Sequence, residues 1–246
     1  MARPTEPDDT AADHPPAGLP RSATPAPLPA PRPVLGGVVA VLLGLAALAG
    51  LWAATAGVGP ARLDAAVLGE TVDARTGLLT AAAVVITNLG STVSMAVLAS
   101  SVGIWLWSAG RRPDAVLAVG AMAGGAGVFR GLKELLDRSR PPLDGRLVHA
   151  GNESLPSGHA TMATVVIGTL VVLAWSGRSA AARVIMTAAA AVWIGAVGLT
   201  RIYLGVHWFS DVLAGWLVGS AWLALCVAAW SWWRARRRTR EWKRVL

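Results

Sequence analysis

An all-α membrane protein with six helices crossing the bilayer is the fold class predicted for this chain, and three observations predict it. Of 246 residues, 54% are hydrophobic and only 15% are charged, against roughly 25% charged in a soluble domain. The mean hydropathy is +0.53. Several apolar runs approach or exceed the about 18–20 residues that cross a bilayer, and short polar connections separate them.

Residues 1–33 hold ten of the fifteen prolines and almost nothing large and apolar. Such a tail cannot bury a core and is expected to be disordered. It lacks a basic start followed by an apolar run, so it does not read as a secretory signal. The first span is expected at 34–58. A polar, amphipathic stretch, DAAVLGETVDARTGLL, follows and is expected to lie along the membrane interface. Further spans are expected at 81–107, 115–136, 157–175, 181–204 and 208–233. Glycine and alanine recur in these runs, as in AMAGGAG, which suits close helix packing in lipid. The domain plan is therefore a tail (1–33), a six-helix membrane domain (34–233) and a basic tail (234–246). The single cysteine, Cys226, excludes an intrachain disulfide and a cysteine metal cluster and reads as a packing residue.

The net charge of +8 is unevenly spread: seven of the 22 basic residues lie in the last thirteen. A basic cluster just after a span is an anchor on anionic lipid, and nucleic acid is excluded as a partner. Arg and Lys in the connections also orient the chain. With both termini cytoplasmic, fourteen basic residues fall inside and eight outside. The outer ones concentrate around KELLDRSRPP, residues 133–142.

Alternation of six spans brings three segments to the outer surface: KELLDRSRPP (133–142), PSGH (156–159) and TRIYLGVHWFSD (200–211). Lys133, Arg140 and Arg201 stand at or just beyond helix ends. Cations there are costly in lipid without a partner, and three converging cations suit a group with two or more negative charges. Of the four histidines, His14 lies in the tail and His149 has no evident partner. His207 has Asp211 four residues on, one helical turn away. That carboxylate can accept from one ring nitrogen and leave the other free as a nucleophile. In PSGH, Pro156 ends the loop, Ser157 is a natural helix cap, and Gly158 lets the backbone approach a ligand. The N–H groups of the helix start favour an anion, and His159 is placed to donate a proton.

Taken together, Lys133…Arg140-Pro141, Pro156-Ser157-Gly158-His159 and Thr200-Arg201…His207…Asp211 resemble the signature of the type 2 phosphatidic acid phosphatases, or lipid phosphate phosphatases. That signature is K-x6-RP, PSGH and SR-x5-H-x3-D. The one departure is threonine for serine at position 200. The resemblance covers roughly residues 34–233 and implies a six-helix plan, with the active site at the extracytoplasmic ends of helices 3–6. It implies a metal-independent phosphatase in which His207 forms a phosphohistidine, Asp211 orients it and His159 protonates the leaving oxygen. Lys133, Arg140, Arg201, Ser157 and the Gly158 N–H would hold the phosphoryl oxygens. No metal or other cofactor is expected; Asp137, Asp144 and Glu153 read as solvated loop acids. The expected partners are membrane lipid and an amphiphilic lipid phosphate: phosphatidic acid, phosphatidylglycerol phosphate, or undecaprenyl or decaprenyl pyrophosphate. The same residue pattern occurs in soluble acid phosphatases and vanadium haloperoxidases. The alternatives are a haloperoxidase and a lipid-binding or transport protein on this fold.

Overall fold

The structure, a computed structural model, describes residues 33–151 and 153–245. The tail 1–32 lies outside the described residues. Eight α-helices follow in order: α1 (Pro33–Ala56), α2 (Asp64–Asp73), α3 (Gly77–Leu89), α4 (Thr92–Ser108), α5 (Arg112–Leu136), α6 (Gly158–Ala174), α7 (Ala180–Tyr203) and α8 (Phe209–Val245). Short 3-10 turns span Gly59–Leu63 and Leu143–Gly145.

Among the described residues, four single helices are long and apolar enough to cross a membrane: Leu35–Ala56, Arg112–Leu136, Ala180–Tyr203 and Phe209–Arg236. Their outward faces carry bare apolar side chains, among them Leu45, Leu48, Trp52, Ile185 and Val192. An exposed apolar face this extensive belongs in lipid, not water. The chain is a multi-pass membrane protein.

Two expected spans differ in form. The run at 81–107 is a pair, α3 and α4, bent by 45°. Gly90 closes α3, and Ser91 opens α4 by accepting the Ser94 N–H at 3.1 Å. A serine cap starts a new helix where a continuous apolar run predicts one. α6 has 17 residues, about 25 Å at 1.5 Å per residue. It is also the most enclosed helix, packed against α4, α5, α7 and α8. The polar stretch after α1 contains α2, whose first residue, Asp64, is buried. The backbone of α8 continues helical to Val245, so the last helix does not stop at Trp233.

Small residues let α6 sit in the middle. A Cβ on Gly215 of α8 would meet the Ser157 carbonyl oxygen at 2.8 Å, and one on Gly219 would meet that of Thr161 at 2.8 Å. This spacing of two glycines, one turn apart, brings two backbones together. The threonines of α6 satisfy their hydroxyls within the helix: Thr161 donates to Ser157 O, Thr164 to Ala160 O and Thr169 to Val165 O, at 2.7–2.9 Å. The buried helix therefore carries no orphan hydroxyl on those side chains. Cys226 packs with Trp222 and Trp230 against Leu117, Ala121 and Val165.

The start of α5 is fastened to α8. Asp114 accepts from Arg111 Nη2 at 2.7 Å, Trp230 Nε1 at 3.2 Å and Arg234 Nη1 at 3.1 Å. The end of α5 and the start of α8 are left to build a site at the other end.

Candidate active site

α5 ends because Asp137 adopts the left-handed conformation at φ 41°, which Asp tolerates better than most residues. Its N–H donates to the Lys133 carbonyl at 3.1 Å. The chain then turns back across the helix ends as Arg138-Ser139-Arg140. Lys133, buried in the last turn, donates to the Glu153 carbonyl. Arg140 Nη2 donates to the same carbonyl at 3.1 Å, and Arg140 Nη1 donates to Val206 O at 2.5 Å.

His207 lies in the turn between α7 and α8. Its Nδ1 is 3.3 Å from Asp211 Oδ2, and its Nε2 is 3.1 Å from Arg140 Nη1. A guanidinium only donates. Nε2 must therefore carry the lone pair, and Nδ1 the proton that Asp211 accepts. Burial holds the His207 ring well below the usual histidine range, at about 3, although Asp211 pulls the other way. The ring is neutral at ordinary pH. Asp211 is wholly enclosed. Its Oδ2 also accepts the Trp208 N–H at 2.9 Å, and its Oδ1 accepts from Arg138 Nη1 at 2.5 Å.

Ser157 occupies the N-cap position of α6, as its sequence suggests, but its side chain makes no capping bond. Its Oγ is buried without a hydrogen-bond partner, while its N–H donates to the Asp211 carbonyl at 3.0 Å. An orphan buried hydroxyl costs free energy, and this one stands at the start of α6, immediately before Gly158 and His159. Gly158 and His159 follow on the first turn. The space a Cβ at Gly158 would need is taken by the Phe129 ring at 3.0 Å, so glycine serves close packing with α5 as well as proximity to the cavity. Arg201, in the last turn of α7, donates from Nη1 to Thr87 Oγ1 at 2.6 Å and leaves its buried Nε unpartnered.

Lys133, Arg140, Gly158, His159, Arg201 and His207 line one cavity of about 280 Å³. Ser157 and Asp211 do not line it, but each adjoins a residue that does: Ser157 precedes Gly158, and Asp211 bonds His207. Thr200 does not reach it: its hydroxyl bonds back to Val197 O at 2.7 Å, so the departure from serine leaves the cavity unchanged. Asp137 and Asp144 are exposed, as expected of solvated loop acids, whereas Glu153 is half-buried and offers its carbonyl to two cations. His149, unassigned from the sequence, lines the cavity with Thr92, Phe129 and Arg130. Sequence reasoning also missed Arg138 and Asp64. An acid opening the segment expected at the interface, and a second arginine in RSRPP, were the available signals.

Residues 114–236 match the model of the PAP2 superfamily. The chain is 28% identical over 155 residues to the proposed undecaprenyl-diphosphatase YbjG of Escherichia coli (strain K12), covering 59% of this chain and 73% of that protein. It is 36% identical over 91 residues to phosphatidylglycerophosphatase B of Bacillus subtilis (strain 168), covering 36% of this chain and 44% of that one. The crystal structure of a transmembrane PAP2-type phosphatidylglycerolphosphate phosphatase from Bacillus subtilis superposes with a TM-score of 0.70. It is 26% identical, and the match covers 76% of this chain and 94% of that one. With half of its 246 residues matched by that family model and three motif segments gathered around one cavity, the chain belongs to the PAP2 superfamily.

Proposed function

We propose that the protein is an integral-membrane phosphatase that removes the terminal phosphate from a lipid phosphate or lipid pyrophosphate through a phosphohistidine, without a metal. The observation that carries this is His207: neutral, with its lone pair on Nε2 at the wall of a cavity lined by Lys133, Arg140 and Arg201. A histidine nucleophile needs a base-side partner that fixes its tautomer, and Asp211 is that partner.

In the first step His207 Nε2 attacks phosphorus and the bond to the leaving oxygen breaks. His159 gives that oxygen a proton, its protonated form favoured by the incoming phosphate charge. Lys133, Arg140 and Arg201, the Ser157 hydroxyl and the Gly158 N–H receive the charge on the equatorial oxygens. In the second step a water attacks the phosphohistidine, His159 takes the water's proton, and phosphate and free His207 result.

Membrane placement makes the substrate amphiphilic. The relatives' names supply the candidates: undecaprenyl pyrophosphate from one, phosphatidylglycerol phosphate from the other; phosphatidic acid presents the same terminal group. We further propose six crossings, with α6 as the short one, both termini cytoplasmic, and the cavity facing outside the plasma membrane. Parallel assays of phosphate release from the three lipids, in detergent with EDTA, test the reaction. Vanadate-dependent halide oxidation, or lipid binding without release, would replace it with a haloperoxidase or a binding protein.

A further inference from the structure

The geometry points to Asp64 and Arg138 as positioning residues for the His207–Asp211 pair, a role that rests on His207 being the nucleophile. Neither is a specified position of the three motifs, Arg138 falling in the variable stretch between Lys133 and Arg140, and Asp64 lies outside the family match at 114–236.

Asp64 begins α2 and is buried at 6% exposure. A buried carboxylate needs partners, and it has three bonds. Its Oδ1 accepts the Ser210 N–H at 2.8 Å, and its Oδ2 accepts the Ser210 hydroxyl at 2.6 Å and Arg138 Nη2 at 2.8 Å. The other arm of Arg138 donates to Ser210 Oγ at 2.8 Å and to Asp211 Oδ1 at 2.5 Å. One planar guanidinium thus bridges two carboxylates, a task its fork geometry suits and an ammonium does not.

The bridge does two things to Asp211. It occupies Oδ1, so that Oδ2 is the oxygen presented to His207 Nδ1 and the Trp208 N–H. It also places a positive charge beside the carboxylate, which Asp64 balances from the far side. Without Arg138, Asp211 is freer to rotate and its charge acts fully on His207. Without the Asp64 charge, Arg138 draws more strongly on Asp211 and weakens its hold on His207. Arg138 and Asp64 do not line the cavity, so they act through Asp211 and not on substrate. α2 is docked on the start of α8 by the same bonds.

The test is steady-state phosphate release by the purified full chain in detergent, across pH, with phosphatidic acid and undecaprenyl pyrophosphate as substrates. The variants are Arg138→Gln and Asp64→Asn, with Arg138→Lys and Asp64→Glu as charge-keeping counterparts. The first two lower kcat by about 10–100-fold, the loss typical when a group that orients a reactive ligand is removed, with KM little changed. The acid limb of kcat/KM reports the free enzyme. It moves up in pH for Arg138→Gln, which removes a cation, and down for Asp64→Asn, which removes an anion. The charged and titratable groups around the His207 ring are Asp211 of α8, Arg140, Arg201 of α7 and His159 of α6. All stay in place, and titration of the substrate is common to every variant. The charge-keeping pair lowers kcat but leaves the limb where the parent has it. A purely structural tether would not shift the limb in opposite directions. Parental kcat in both neutral variants, or limbs that move together or not at all, overturns the inference. His207→Ala, assayed alongside, separates the claims: activity there removes the nucleophile assignment, whereas an inactive His207→Ala with parental Arg138 and Asp64 variants removes the tether alone.

Discussion

Arg140 Nη1 stands 3.1 Å from His207 Nε2. A cation that only donates therefore faces the lone pair of the ring. In the proposed reaction, phosphate takes the position between them and Arg140 passes from the ring nitrogen to a phosphoryl oxygen. The same contact fixes the tautomer from one side while Asp211 fixes it from the other.

His207→Ala is expected to abolish turnover and leave a folded protein in detergent. Acid-labile, base-stable phosphoprotein formed from labelled substrate should be trapped in the parent and absent in the variant. Residual hydrolysis within about tenfold of the parent would remove His207 as nucleophile, since losing a covalent nucleophile costs several orders of magnitude.

Lys133→Ala and Arg201→Ala are each expected to lower kcat/KM by about 10²–10³-fold, the usual worth of a group that stabilises developing oxyanion charge. Steady-state kinetics on the purified variants check this. A change below about threefold would make them interfacial anchors.

Ser157→Ala separates stability from activity. The hydroxyl has no partner, so its removal leaves nothing unsatisfied and thermal stability in detergent is expected to hold or rise. kcat/KM is expected to fall by about tenfold, the loss of one hydrogen bond of about 1.5 kcal/mol to a charged group. A destabilised variant would show that the hydroxyl serves the fold.

Gly219→Leu tests the α6–α8 crossing. A Cβ there meets the Thr161 carbonyl oxygen at 2.8 Å and Thr164 Cβ at 2.8 Å, and neither is a flexible chain end. The helices must part, which moves the Ser157–Gly158–His159 turn off Asp211. A clear drop in melting temperature and loss of activity are expected together.

Sidedness is tested by Gly151→Cys in a Cys226→Ser background. Gly151 is exposed in the loop before α6. An impermeant thiol reagent is expected to label intact cells. Labelling only after permeabilisation would turn the topology over.

The cavity residues were legible in the sequence because three segments rich in cations and histidines fall at helix ends; the His207–Asp211 contact was legible from its spacing, although His207 stands in the turn before α8 and not on the helix that carries Asp211. Helix positions were legible from apolar runs, but a run does not show where a serine cap starts a second helix, and Ser91 did so within the expected span. The local propensity of Ser157 suggested a cap, yet tertiary placement left its hydroxyl bare. Asp64 and Arg138 are 74 residues apart, and no periodicity joins them; only the fold reveals that a buried acid from α2 is linked through Arg138 to the carboxylate that holds His207.

The central claim is metal-independent phosphate transfer by His207 from a lipid phosphate. The most direct measurement is phosphate release by the purified protein in detergent with EDTA, from phosphatidic acid, phosphatidylglycerol phosphate and undecaprenyl pyrophosphate in parallel, with His207→Ala as control. Turnover of at least one lipid by the parent, with none by the variant, is the predicted result. No release from any of them, or release that requires added Mg²⁺, would contradict it.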